Sequence, residues 1–264
     1  VEYCIVDDGS TDATPLLARS VAPSASKCTV LSHVRNLGVG AAFRTGFAHV
    51  NAEIICTIDA DCSYSPAELQ RLLEPIARDE ADVVVASPYH PKGAVEGVQR
   101  WRLLLSLQCS RLYRAVSPLK LHTYTSIFRA YRGSIVRSLE FPSDGFVSAV
   151  EILLSAAAQG YRVSEVPATL TKRIAGCSKM RLLRTVRTHA YLLSRCIGAN
   201  LRGSFPQMTA PSPLRPNAIM VIRHPSASSA VPAGMPAGLA MKKPSPGRPG
   251  SDSPMPRPAR AAQA

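Results

Sequence analysis

Short apolar runs alternate with amphipathic stretches over residues 1–90. The apolar runs predict buried strands at 2–6, 28–33, 53–59 and 82–86. The stretches between them repeat apolar residues at helical spacing, and they predict helices at 13–21, 41–50 and 66–78. Strands that alternate with helices and are apolar throughout are typical of an α/β domain with a largely parallel sheet.

Three further helices and one strand are predicted after residue 100. Residues 101–116 interleave leucines with arginines and predict a basic amphipathic helix. A helix at 148–159 ends before Gly160 and leads into a strand at 161–166. A last basic helix is predicted at 180–197.

The composition changes at residue 204. The segment 204–264 holds 13 of the 22 prolines and is otherwise rich in Ala, Ser, Gly and Met. Its one apolar run, 218–222, is too short to span a membrane. The sequence therefore predicts one domain over residues 1–203, followed by a disordered Pro/Ala/Ser-rich tail over 204–264.

The chain is basic, with a net charge of +13 from 31 Lys and Arg against 18 Asp and Glu. This charge favours an anionic partner, which could be nucleic acid, anionic lipid or a phosphorylated substrate. A basic surface without a specific partner is the alternative. The tail alone carries seven of the basic residues and one acidic residue.

Seven cysteines are scattered without CxxC spacing, which disfavours a metal knuckle or a disulfide framework. Reduced thiols fit a cytosolic enzyme. No signal peptide opens the sequence and no 18-residue apolar run occurs in it. These features favour a cytoplasmic location.

Two acidic clusters follow predicted strands. Asp7-Asp8 ends the first strand, and Asp59-Ala60-Asp61 ends the third. Ligands of parallel sheets bind beyond the carboxyl ends of the strands, so both clusters are expected at one edge. Two carboxylates one residue apart can hold Mg²⁺ or Mn²⁺ together with substrate phosphates, although a strand-end turn also favours Asp.

Three segments carry a resemblance when taken in order. IVDDGSTDAT at 5–14, NLGVGAAFRTGF at 36–47 and TIDADCSYSPAEL at 57–69 resemble family 2 glycosyltransferases of the GT-A (Rossmann-like) fold. The later TYTSIFRAYR, GYRVSEVP and RIAGCSKM are similar to the branch of dolichol-phosphate mannose synthases and polyprenyl-phosphate glycosyltransferases. The resemblance covers about residues 1–197.

The resemblance implies a role for each matching residue. On the donor side, the nucleoside contacts Asp7 and Asp8, more so Asp8, and the metal and diphosphate are held by Asp59 and Asp61. A late basic loop closes on the donor phosphates. The acceptor phosphate is held by an Arg-x-x-x-Ser pattern on one helix face. The matching basic and acceptor residues are Arg173 and Lys179 in the loop, and Arg102 and Ser106 on the helix.

The implied reaction is a metal-dependent, inverting transfer of a hexose from GDP-mannose or UDP-glucose to a polyprenyl or dolichyl phosphate. A phosphate is already an anion and needs no general base. If the acceptor were a sugar hydroxyl, Asp144 or Glu151 would be the candidate bases. Three alternatives stay open: a non-lipid sugar acceptor, a non-catalytic fragment, and a basic nucleic-acid-binding protein, although no nucleic-acid motif occurs.

The sequence departs from the family pattern in several places. The usual first strand and its base-binding turn are absent, Ser63 stands where Gln is common, and Pro88 replaces a phosphate-binding Arg. Peripheral contact with the cytoplasmic face of a membrane is a further hypothesis. It rests on the basic stretches 100–118 and 180–197.

Overall fold

The computed structural model describes residues 1–20, 27–173, 182–201 and 219–222. The strands are β1 (Glu2–Asp7), β2 (Lys27–His33), β3 (Ile54–Thr57), β4 (Val83–Ser87), β5 (Ala94–Val95), β6 (Arg129–Arg132), β7 (Val163–Pro167), β8 (Thr169–Leu170) and β9 (Ile219–Ile222). The helices are α1 (Thr14–Ser20), α2 (Val39–His49), α3 (Leu69–Ala77), α4 (Arg100–Val116), α5 (Ser148–Ala158) and α6 (Leu182–Leu201).

The strands form three sheets. One has the order β1-β2-β9, in which β1 and β2 are parallel and β9 is antiparallel to β2. The second has the order β3-β6-β4-β7, with β4 and β7 parallel and β6 antiparallel to both of its neighbours. The third is the short parallel pair of β5 and β8. Among the described residues, β1 and β3 each pair along one edge only.

Strand β4 lies at the centre of the core, and all five of its residues are buried. Successive side chains of a strand point to opposite faces. Val83 and Val85 accordingly belong to the apolar cluster that contains α5, whereas Val84 and Ala86 belong to the cluster that contains α3. Nine of the eleven residues of α5 are buried, and they include Ser148, Glu151 and Ser155 among apolar side chains.

Strand β6 is absent from the sequence prediction, because its sequence RAYR begins and ends with arginine. In the structure the Arg129 side chain is fully buried. Its guanidinium donates hydrogen bonds to the Ala149 carbonyl at 2.6 Å and to the Tyr124 carbonyl at 2.9 Å. Two backbone carbonyls thus accept hydrogen bonds from a buried guanidinium, a group that hydrophobic patterning alone would assign to the surface.

Strand β9 lies inside the segment 204–264, which the sequence predicts as a tail. It is formed by Ile219–Ile222, most of the one apolar run in that segment, and its register pairs His33 with Ile219. The rest of 204–264 lies outside the described residues, so the predicted tail stays a prediction there. The predicted boundary at residue 203 also falls outside them.

Candidate active site

A cavity of about 560 Å³ opens where β3 and β4 end and α4 begins. Its wall contains apolar side chains together with carboxylates, cationic groups and hydroxyl groups. The residues that carry these groups are Asp59, Asp61, Ser63, Tyr64, Tyr89, Arg102, Ser106, Thr123, Thr125, Ser126, Thr171, Lys172 and Arg173. Five of the predicted site residues therefore line one cavity: Asp59, Asp61, Arg102, Ser106 and Arg173.

The two carboxylates follow β3 directly. Burial raises the pKa of Asp59 to about 6; the charge of Asp61 acts in the same direction and Arg173 opposes it. Asp61 accepts a hydrogen bond from the Ser63 backbone N–H at 3.0 Å, and its second oxygen pairs with the Arg173 guanidinium at 2.8 Å. Cys62 has a φ of 57°, so the chain turns sharply after Asp61.

The donor set fits a hard divalent cation. The charge of Asp61 contributes to the raised pKa of Asp59, and a cation between the two carboxylates would relieve that repulsion. The described residues contain no cluster of three or more metal-binding side chains. Two carboxylates completed by phosphate oxygens and water match the way in which Mg²⁺ is usually bound at nucleotide sites.

The cationic side of the cavity is partly as predicted. Arg173 lines it, and its neighbour Lys172 lines it as well, although the sequence does not single out Lys172. Lys179, the second predicted donor-phosphate residue, lies outside the described residues.

The predicted acceptor residues lie on α4. The Arg102 guanidinium stacks over the Trp101 ring at 5.1 Å, and its buried Nε has no hydrogen-bond partner in the described part of the chain. The Ser106 hydroxyl hydrogen-bonds the Thr125 hydroxyl at 2.6 Å. Thr125 and Tyr89 also line the cavity. Thr125 lies inside the quoted TYTSIFRAYR but is not singled out there, and Tyr89 lies outside the quoted motifs.

Asp7 and Asp8 do not line this cavity. Both oxygens of the buried Asp7 accept from the Ser10 N–H at 3.3 Å. The Asp8 carboxylate accepts from the backbone N–H groups of Leu37 at 2.9 Å and Gly38 at 2.7 Å, and it pairs with buried His33 at 2.7 Å. Asp8 thereby anchors the turn that begins α2, and the nucleoside role of the two residues stays a prediction.

The turn needs glycine for a geometric reason. Gly38 has a φ of 106°, and a Cβ there would lie 2.3 Å from the Asp144 carbonyl oxygen. The Gly40 N–H donates to the same carbonyl at 2.7 Å. This close approach ties the start of α2 to the segment before α5.

The two alternative bases lie outside the cavity. Asp144 forms an ion pair with Arg44. The buried Glu151 accepts hydrogen bonds from the hydroxyl and the N–H of Ser143, at 2.6 and 2.9 Å. Within the described lining of the cavity, the carboxylates are Asp59 and Asp61.

Comparisons with known proteins agree with this picture. The sequence profile of glycosyl transferase family 2 matches residues 1–139. A polyprenol monophosphomannose synthase of Mycolicibacterium smegmatis is 33% identical over 187 residues, which cover 68% of this chain and 70% of that protein. An undecaprenyl-phosphate mannosyltransferase of Micrococcus luteus is 32% identical over 185 residues, covering 68% of this chain and 75% of that protein.

Solved structures confirm the fold. Glucosyl-3-phosphoglycerate synthase of Mycobacterium tuberculosis, in complex with phosphoglyceric acid, superposes with a TM-score of 0.54 at 20% identity over 80% of this chain and 70% of that chain. The same enzyme with Mn²⁺, UDP-glucose and phosphoglyceric acid gives 0.54 at 22% identity over 73% and 68%. The predicted α/β GT-A fold is therefore confirmed.

Proposed function

This chain belongs to glycosyl transferase family 2 and is a glycosyltransferase, and on that premise we propose that it transfers a hexose from a nucleotide sugar to a polyprenyl phosphate. The observation that carries the proposal is a single cavity in which Asp59 and Asp61 share the wall with Arg102. The carboxylates suit a cation and a diphosphate, and the arginine suits a second phosphate.

The described lining of the cavity favours a phosphate as the acceptor, because its two carboxylates, Asp59 and Asp61, are the residues that would hold the cation. A sugar hydroxyl must lose a proton as it attacks, which requires a positioned base. Asp144 and Glu151 are engaged elsewhere, and Asp61 is paired with Arg173. A phosphate needs no deprotonation at neutral pH, and two relatives are named for mannosyl transfer to such lipids.

The donor binds through the carboxylates and the cationic loop. Asp59 and Asp61 would hold Mg²⁺ or Mn²⁺ against the diphosphate of GDP-mannose or UDP-glucose. The cation supplies charge neutralisation for the departing nucleoside diphosphate. Arg173, with Lys179, donates to the diphosphate oxygens, because guanidinium and ammonium groups are strong phosphate donors.

The transfer itself depends on positioning. Arg102 and Ser106 hold the acceptor phosphate so that one of its oxygens faces the anomeric carbon of the bound sugar. A bond forms between that oxygen and the anomeric carbon as the bond to the diphosphate breaks. The electron pair leaves with the diphosphate, where Arg173 stabilises the growing charge. Attack opposite the leaving group inverts the anomeric configuration.

A lipid acceptor implies that the enzyme works at a membrane surface. No helix among the described residues is long and apolar enough to cross a membrane. We propose peripheral contact through α4 and α6, at the cytoplasmic face. Both helices combine exposed apolar side chains, such as Trp101 and Leu183, with basic residues.

A transfer assay tests the reaction. GDP-mannose and UDP-glucose, each radiolabelled in the sugar, are offered separately with Mg²⁺, Mn²⁺ or EDTA. Farnesyl phosphate is the acceptor and farnesol the control acceptor. We expect label in the organic phase with one donor, dependence on the cation, no product with farnesol, and loss of product in Asp61→Asn.

The outcomes separate the alternatives. Transfer to farnesol but not to farnesyl phosphate would contradict the phosphate acceptor. Hydrolysis of the donor without transfer in every acceptor arm would leave the family assignment in place and refute the proposed acceptor class.

A further inference from the structure

Three hydroxyl groups line the cavity beside Arg102. Tyr89 follows β4, Ser106 lies one helical turn after Arg102 on α4, and Thr125 precedes β6. The Ser106 and Thr125 oxygens are 2.6 Å apart. The Tyr89 hydroxyl reaches the Leu103 carbonyl only at 3.5 Å, which is the limit of a hydrogen bond.

These groups have hydrogen atoms to spare. The Tyr89, Ser106 and Thr125 hydroxyls carry three protons; the Ser106–Thr125 hydrogen bond uses one of them, and the hydrogen bond between Tyr89 and Ser106 uses a second. Burial raises the pKa of the Tyr89 phenol above its ordinary value, so this hydroxyl keeps its proton at neutral pH. Arg102 adds a buried Nε–H without a partner in the described part of the chain.

A group that accepts several hydrogen bonds and carries negative charge would satisfy all of these donors. A phosphomonoester offers three terminal oxygens and up to two charges. A neutral alcohol offers one oxygen and would leave buried donors without partners, which is unfavourable.

We propose that Thr125 and Tyr89 join Arg102 and Ser106 in binding the phosphate of the acceptor, an inference that rests on the proposed function. Thr125 and Tyr89 then decide between a phosphomonoester and the corresponding alcohol. Both residues lie outside the Arg-x-x-x-Ser pattern on α4 and come from two other segments of the chain.

A neighbouring threonine supplies the matched control. Thr123 lines the same cavity, but its side chain is buried and its hydroxyl is hydrogen-bonded to Ser87 at 2.8 Å. Thr123→Val therefore removes a hydroxyl from the same loop without removing a donor that is available to a ligand.

The test measures binding of farnesyl phosphate, glycerol 3-phosphate and farnesol to the full chain by calorimetry, without a donor sugar. We expect Thr125→Val and Tyr89→Phe each to raise the Kd for farnesyl phosphate about tenfold, as loss of a hydrogen bond to a charged group does. Thr125→Ser keeps the hydroxyl and should restore wild-type affinity. Thr123→Val should stay within about twofold of wild type.

Glycerol 3-phosphate separates phosphate recognition from lipid recognition. Weaker binding in the same variants supports the phosphate site, whatever the source of the phosphate. Equal affinity of Thr125→Val, Tyr89→Phe and Thr123→Val would overturn the inference even if the wild type transfers sugar to lipid. Equal affinity of the wild type for farnesol and farnesyl phosphate would overturn it as well. Altered phosphate binding in an enzyme that transfers nothing to lipid would refute the proposed function alone.

Discussion

Asp61 and Arg173 form an ion pair at the point where a divalent cation is expected. The Arg173 guanidinium lies 2.8 Å from an Asp61 carboxylate oxygen. A cation that binds the same oxygen of Asp61 would displace this guanidinium, which would then be available to the diphosphate of the proposed donor. We therefore expect Arg173 to compete with the cation when no donor is present and to act together with it when the donor is bound.

Arg173→Gln is therefore expected to bind Mn²⁺ more tightly than Lys172→Gln in the absence of nucleotide. The two variants lose the same charge from the same cavity wall, so their difference isolates the ion pair. A partly exposed pair contributes about 0.2–1 kcal/mol, which corresponds to at most about fivefold in affinity. Electron paramagnetic resonance of free Mn²⁺ measures both. Equal affinities would show that the pair does not obstruct the cation.

Asp8 provides a second case in which the structure refines a role drawn from the sequence. Its carboxylate accepts two backbone N–H groups and pairs with His33, whose other ring nitrogen is 2.9 Å from the Thr45 hydroxyl. Asp8→Ala would leave the N–H groups of Leu37 and Gly38 without this acceptor.

We expect Asp8→Ala to lower the free energy of unfolding by about 1–3 kcal/mol, the cost of unsatisfied polar groups. Glu74→Ala is the control, since the exposed Glu74 carboxylate pairs with Arg78 at 3.8 Å, and the substitution should cost about 0.5 kcal/mol or less. Urea unfolding measures both. If Asp8→Ala is as stable as the control but binds nucleotide poorly, the nucleoside role is favoured over the anchoring role.

Functional residues can be predicted from the sequence when they belong to a recognisable local motif. Asp59, Asp61, Arg102 and Arg173 were predicted from such motifs, and the structure brings all four to one cavity. Tyr89 lies in none of the quoted motifs, and Thr125 lies inside TYTSIFRAYR without being distinguished there from its neighbours. A single threonine or tyrosine has no local signature, and its relevance depends on a side chain that approaches from a distant segment.

At the scale of elements, the apolar strands and the amphipathic helices were predictable because their burial follows from local periodicity. The predicted helix at 101–116 corresponds to Arg100–Val116, and the predicted strand at 82–86 to Val83–Ser87. Strand β6 was not predictable, because the Arg129 side chain is buried and its hydrogen bonds to backbone carbonyls cannot be inferred from periodicity. Its antiparallel pairing with β3 and β4 is likewise a tertiary property.

The contact between α4 and α6 has a titratable group within it. The His189 side chain lies 3.0 Å from the Tyr113 hydroxyl, and burial lowers the pKa of His189 from 6.5 to about 4. The folded state therefore favours the neutral ring, while the unfolded chain takes up a proton near pH 6.5. The contribution of His189 to stability is complete above that pH and falls as the pH drops from 6.5 to about 4.

His189→Gln is expected to remove this part of the pH dependence. The wild type should lose on the order of 1–3 kcal/mol more than the variant between pH 7 and pH 4.5. Urea unfolding at both pH values measures the difference, and the carboxylates contribute equally to the two proteins. Parallel losses in the two proteins would show that the His189 ring is not neutral in the folded state.

On the scale of the whole molecule, basic and apolar residues coincide on α6. A shallow cavity of about 690 Å³ lies along this helix and is lined by Leu183, Arg184, Arg187, Thr188 and Tyr191. Leu183 is 83% exposed and Tyr191 is 67% exposed. Apolar side chains flanked by arginines on one helix are typical of peripheral contact with anionic lipid.

The net charge of +13 raises the question of whether any vesicle binding would be specific to this helix. A matched pair of charge reversals answers it. Arg184→Glu with Arg187→Glu changes α6, and Arg71→Glu with Arg78→Glu makes the same change in net charge on exposed positions of and just after α3. Each charge reversal near the lipid should weaken the free energy of vesicle binding by about 1 kcal/mol. A reversal elsewhere acts only through the overall electrostatic field of the protein, which salt screens.

We therefore expect the wild type and the α3 variant to float with vesicles that contain anionic lipid at low salt, and the α6 variant to remain in the soluble fraction. High salt should weaken vesicle binding without abolishing it, because the apolar side chains still contribute. Leu183→Asp should abolish the binding that remains at high salt. Equal loss in the two charge variants would mean that net charge alone attracts the protein. No flotation of the wild type at low salt would refute membrane contact and would require that the acceptor lipid leave the bilayer to reach Arg102.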